Sequence, residues 1–171
     1  MSILKLCGIE NQRKCIVEID YYIPFEVKVV ESSGSHKENI AYWRTGDIER
    51  SLIEIGIGLN TGILRSITLV AFKTAFINNY YLEHKEIEEG TPVFDVNIIP
   101  QNGIYDYISD FQIYLGDKDI TVVINESNKC EKIIRLDRLD IGVDKENFMT
   151  HISINNINSD EYSELRDALK L

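Results

Sequence analysis

The chain is short of the residue pairings on which most chemistry depends. Its three cysteines, Cys7, Cys15 and Cys130, are odd in number and widely spaced, with no CxxC pair. That excludes a disulfide framework and a cysteine zinc site, and it fits free thiols in a reducing cytoplasm. Each stands in apolar, strand-like surroundings, Cys130 less so, which marks an inert thiol rather than a nucleophile. Histidine is equally sparse. His36, His84 and His151 are scattered, and neither HExxH nor any Cys/His metal spacing occurs. No GxSxG is present; Ser32, Ser33 and Ser35 near His36 read as a solvated polar loop. Asp137, Asp140 and Asp144 do not follow the spacing of a calcium loop and read as a solvated turn. With 28 acidic residues, chance pairs are too many for a glycosidase-like carboxylate pair to be picked out. These absences leave no catalytic residue, no metal ligand set and no cofactor site, so the chain reads as a non-enzyme.

No apolar run approaches the length of a membrane helix. The first residues, MSILKLC, are broken by Lys5 and lack the small-residue cleavage site of a secretory signal. Basic residues are outnumbered, 18 against 28, for a net charge of −10. Such a surface repels nucleic acid and anionic lipid and attracts a basic partner. Internal repeats, low-complexity segments and linkers are also missing.

Isoleucine, asparagine and tyrosine are plentiful. β-branched and aromatic residues favour strands, and the composition, 44% apolar and 27% charged, is that of a globular protein. Residues 2–9 and 14–19 read as an N-terminal hairpin across Asn11–Lys14. A half-buried strand follows Pro24, then a polar loop over 31–39. In SLIEIGIGLNTGILRSITLV (51–70), Ile53, Ile55, Ile57 and Leu59 share one face, and Ile63, Ile67 and Leu69 another. Gly56, Gly58 and Gly62 raise the question of a phosphate loop. However, Thr61 stands where GxGxxG needs its third glycine, no helix pattern follows, and GK[ST] is absent; the stretch is a hairpin turning at Asn60–Gly62. Residues 74–89 fit either a short helix or an acidic loop. From residue 104 onward the pattern is that of a meander, with strands over 111–115, 120–124, 132–136, 139–143 and 148–154. His151 is expected to be a hydrogen-bonded strand residue. Asn158 with Glu161 forms a capping-box pattern opening a C-terminal helix at about 159–170, with Tyr162, Leu165 and Leu169 on one face. The expected fold is one strand-rich α+β domain over 1–171, mainly an antiparallel curved sheet with few helices and a possible subdivision near 86–92.

Two segments mix acid with tyrosine. YYLEHKEIEE holds Tyr81, Glu83, Glu86, Glu88 and Glu89, and GIYDYISDF holds Tyr105, Asp106, Tyr107 and Asp110. Tyrosine offers large contact area at low entropic cost and carboxylates pair with Arg and Lys, so these nine residues are the candidate partner-binding set.

A small, acidic, strand-rich chain without catalytic motifs resembles the immunity proteins of bacterial polymorphic toxin systems, of the contact-dependent growth inhibition, Rhs and WapA types. The stretch SLIEIGIGLNTGILRSITLV and the later GTPVFDVNI carry the resemblance, over less than a third of the chain. It implies a cytoplasmic inhibitor that binds the C-terminal domain of one cognate toxin, a nuclease with a basic groove, and occludes its active site or substrate surface. Immunity families differ widely in fold, so the resemblance assigns no functional residue. A small-ligand-binding or enzymatic β-rich domain, and a structural subunit of a larger assembly, stand as the alternatives.

Overall fold

The computed structural model describes residues 2–31, 37–83, 85–127 and 129–171. The serine-rich stretch with Ser32, Ser33, Ser35 and His36 lies outside the described residues, as does His84. The chain is strand-rich α+β, with one helix among the described residues. In chain order the strands are β1 (Leu6–Glu10), β2 (Cys15–Glu18), β3 (Phe25–Val29), β4 (Ile40–Gly46), β5 (Leu52–Gly58), β6 (Leu64–Ala71), β7 (Ala75–Ile77), β8 (Glu86–Glu89), β9 (Thr91–Phe94), β10 (Ile104–Ile108), β11 (Gln112–Leu115), β12 (Ile120–Val123), β13 (Lys132–Leu136), β14 (Leu139–Val143) and β15 (Met149–Ile154). Helix α1 (Ser159–Ala168) ends the chain.

The strands build two large sheets. One has the order β10-β4-β5-β6-β3-β2 and the other β7-β11-β12-β15-β14-β13-β8. Neighbours are antiparallel except β10 with β4, β7 with β11 and β8 with β13. The sheets repeat one topology: β2 to β6 are arranged as β11 to β15 are, in the same order and the same relative directions. In both, a parallel strand from the intervening segment completes the edge, β10 beside β4 and β8 beside β13. No sequence repeat accompanies this, because a strand is specified by its inward and outward alternation rather than by particular side chains.

A two-stranded ribbon, β1 against β9, joins the sheets. Both links lie at the end of the ribbon where Leu6 meets Phe94: just before β1 the Met149 N–H donates to the Leu4 carbonyl at 2.9 Å, and on the β9 side the Phe94 N–H donates to the Gly62 carbonyl at 2.8 Å. The ribbon thus touches the starts of β15 and β6, which are equivalent strands. This corrects two expectations. The N-terminal hairpin does not form, since β1 pairs with β9 and β2 with β3. The run from residue 104 is not a simple meander: β10 leaves for the first sheet, and β15 inserts between β12 and β14. In both places alternation marks which side chains face inward, but long-range pairing decides which strand lies alongside.

The inner faces share one apolar core. Trp43, Phe25, Ile55, Ile57 and Ile67 of the first sheet join Ile113, Val122, Ile134, Ile141 and Ile152 of the second, all nearly free of solvent. Each such side chain contributes roughly 1.5–3 kcal/mol by leaving water. Leu165 and Leu169 bring α1 into the same core. The helix starts as its sequence dictates: Asn158 and Glu161 form a reciprocal capping box, and Asp160 and Glu161 suit the positive end of the helix dipole. Of the cysteines, Cys130 is buried and Cys15 half-buried, but Cys7 is exposed, because it falls on the outer side of β1.

Candidate protein interface

The two acid-and-tyrosine segments become equivalent edge strands, β8 and β10. They are not brought together. Tyr107, Ser109 and Asp110 lie near Gln112 and Val123 of the second sheet, whereas β2, the far edge of the first sheet, touches the β13–β14 turn through the Cys15–Asp137 contact. β8 flanks β13, so the segments occupy opposite edges of the packed pair of sheets.

In the β10 segment the tyrosines turn inward. Tyr107 stacks on Trp43 with ring centroids 5.9 Å apart, and the Tyr105 hydroxyl accepts from the Ser2 N–H at 2.8 Å. Its acids are already matched. Arg44 grips Asp106 with two nitrogens, at 2.7 and 2.9 Å, and Lys73 reaches Asp110 at 2.6 Å and Asp47 at 3.3 Å. The β8 segment is more open. Tyr81 is 92% exposed, and all four residues of β8 face solvent. Glu88 pairs with Lys132, and Glu83 lies a loose 3.8 Å from Lys129. Glu86 and Glu89 form no ion pair among the described residues.

Register assembles a further surface that reading segment by segment does not reveal. The outer face of the first sheet carries a row that crosses all six strands: Glu18, Glu26, Thr68, Glu54, Arg44 and Asp106. Four of these six are acids, and Lys28 and Arg44 offset them only in part; Lys28 stands 3.0 Å from Glu26. Around the row, Ile16, Val30, Ile40, Val70, Ile104 and Ile108 project from the same face and stay exposed. No described helix or strand covers them. Exposed isoleucines beside acids make an amphipathic surface of the kind that protein interfaces use. Next to it, Tyr21 and Tyr22 at the β2–β3 tip line a cavity of about 330 Å³ with Pro24, Val70 and Phe72. The sequence signal that finds this face is the outward set of alternating positions on each strand, combined with correct pairing.

The glycines of the β5–β6 hairpin lie on this outer face. Gly56 sits against Ser66, Ile40 and Tyr42, and a Cβ at Gly58 would run into the Glu38 carboxylate. The space is therefore filled by the chain itself, not held open for a ligand. Glu38 accepts from the Asn60 and Thr61 N–H groups at 3.0 and 3.1 Å and from the Thr61 hydroxyl at 2.6 Å. Arg65, pushed outward by a bulge in β6, donates to Glu38 at 2.7 Å and to Glu31 at 2.9 Å. Burial disfavours the Glu38 charge, but the bonds from Thr61, Arg65 and the two backbone N–H groups outweigh it and hold the carboxyl down at about 2.

The outer face of the second sheet is more enclosed. His151 is buried on β15 as expected, with Nδ1 3.1 Å from the Thr150 hydroxyl and its ring 5.9 Å from that of Tyr80. Burial lowers its pKa to about 4, against a smaller opposing pull from Asp140, so at neutral pH the imidazole is uncharged. Asp140 does not belong to a solvated turn: it is buried on β14 and bonded twice by Arg135, both at 2.8 Å. Desolvation, only partial at the exposed Cys7, pushes all three thiols up, with Asp95 adding to it at Cys7 and Asp137 at Cys15, so none is a ready thiolate. Among the described residues no cluster of His, Cys, Asp and Glu has the arrangement of a metal site, and no helix is long and apolar enough to cross a membrane.

The chemistry on display is contact chemistry: acids, isoleucines and tyrosines on an open sheet face, and an acidic strand edge. No known family model matches the chain, and no curated protein is similar to it in sequence.

Proposed function

We propose that the chain is an immunity protein of a bacterial polymorphic toxin system. It acts in the cytoplasm as an inhibitor that binds the basic C-terminal domain of a cognate toxin, a nuclease, and occludes its active site or substrate groove. The observation that carries this reading is the uncovered outer face of the first sheet, with its acid row set among exposed isoleucines. A surface of that composition costs solubility unless a partner covers it. The net charge of −10 adds long-range attraction toward a basic groove.

Inhibition follows from two physical effects. Opposite charge steers the encounter, raising association toward about 10⁸ M⁻¹s⁻¹ at low salt. Burial of Ile16, Ile104, Ile108 and the Tyr21–Tyr22 tip then slows dissociation, since buried aromatic and aliphatic anchors carry most of the affinity in an interface.

The direct test is to read the gene immediately upstream and, where it encodes a large secreted protein with a toxin-like C-terminus, to pull this chain down with that C-terminal domain. Capture at stoichiometric ratio supports the reading. A metabolic operon around the gene, or a toxin-like domain that does not bind, rejects it.

A further inference from the structure

We infer that β8 is a second docking element, one that accepts an extended basic segment of a protein partner as an added strand. The inference rests on the reading of the chain as a binder of a basic protein, but it concerns a different surface from the first-sheet face.

The backbone geometry identifies the groups on offer. The Gly90 N–H donates to the Arg135 carbonyl at 3.0 Å, so Gly90 faces β13. Backbone groups alternate along a strand. Glu88 and Glu86 therefore also direct their N–H and C=O toward β13, while those of Ile87 and Glu89 point away, to the free edge of the seven-stranded sheet. β8 runs parallel to β13 and, among the described residues, has no neighbour on its other side. Sheets blunt such edges with charged side chains, proline, a bulge or short length; β8 has no proline or bulge, and its short run carries three glutamates, a protection that repels an acidic strand but not a basic one.

Its side chains select the occupant. Glu86 and Glu88 lie on one face of the strand, and Glu89 lies with the half-exposed Ile87 on the other. A second copy of this chain would set glutamates against glutamates across the new pair, which is destabilising. A strand with Lys or Arg at alternate positions would set cations there instead, and the Ile87 and Glu89 backbone would supply the ladder bonds.

The test uses the full chain and a short synthetic peptide alternating Lys and Val, with a Glu/Val peptide as control. The Lys/Val peptide is expected to bind, more weakly as salt rises, and to slow hydrogen exchange of the Ile87 and Glu89 amides by at least about tenfold. The amides of Glu86 and Glu88, already bonded to β13, are expected to change little. Ile87→Pro removes only the outward donor, a place where an edge strand tolerates proline, and it is expected to abolish binding. If Ile87→Pro does not fold, the Glu86→Lys/Glu89→Lys variant serves the same purpose. Absence of binding, binding without slowed exchange at Ile87 and Glu89, or a dimer of the chain formed through β8 would each overturn the inference. A toxin-domain pull-down that fails while the peptide docks would reject the immunity reading alone; the reverse would reject only the β8 site.

Discussion

The Arg65 guanidinium lies 2.7 Å from the Glu38 carboxylate, and both side chains are buried. Arg65 also reaches Glu31 at 2.9 Å, so one cation ties together the two ends of the polar 31–39 stretch and fixes them to the β5–β6 hairpin. Removing one partner of a buried pair leaves the other charged and unmatched, which costs about 3–5 kcal/mol. Arg65→Met is expected to lose stability at the lower end of that range, because Glu38 keeps its bonds to Asn60 and Thr61. Urea unfolding measures it.

The same carboxylate sets an acid limit. Its folded pKa, about 2, lies below the ordinary value of 4.5. The stabilisation is therefore complete above about pH 4.5 and is lost as pH falls toward 2. Glu38→Gln is expected to flatten the stability profile in that window and to leave the profile above it unchanged.

His151 works at higher pH. Its pKa falls from 6.5 unfolded to about 4 folded, so the unfolded chain takes up the proton first. Stability is highest above about pH 6.5 and declines as pH drops toward 4, by up to about 3 kcal/mol. His151→Gln is expected to abolish this part of the slope. A wild-type slope that survives the substitution would contradict the assignment.

Gly58 carries no side chain because Glu38 occupies that space. Gly58→Ala is expected to cost about 1–3 kcal/mol, as overpacking does, and thermal unfolding reads the loss. In the double variant Gly58→Ala/Glu38→Ala the alanine methyl no longer meets the carboxylate, and the two costs are expected to be less than additive.

Much of the fold was legible in the sequence wherever the signal is local. The alternation of Ile53, Ile55 and Ile57 marked β5, and Asn158 with Glu161 marked the start of α1. Pairing was not legible. Nothing near Leu6 announces that its partner is Phe94, or that β10 crosses to the first sheet while β8 completes the second. The candidate site divided in the same way. The acids of β8 remain exposed, but Asp106 is matched by Arg44, 62 residues away in the chain, and no local pattern encodes that contact. Glu18, Glu26 and Glu54 share a row only through register, so nothing in their local sequence sets them apart.

The proposed immunity function requires the outer face of the first sheet to bind a cognate toxin domain. Calorimetric affinity for that domain, measured on wild type and on Glu18→Lys/Glu54→Lys/Ile104→Asp, tests it most directly. Asp160→Lys/Glu164→Lys on α1 makes the same two acid-to-lysine changes away from the face and serves as the control. The face variant is expected to bind at least about 100-fold more weakly, as loss of central contacts in an interface does, while the α1 control stays within a few-fold of wild type. Equal affinities for the two variants would contradict the account.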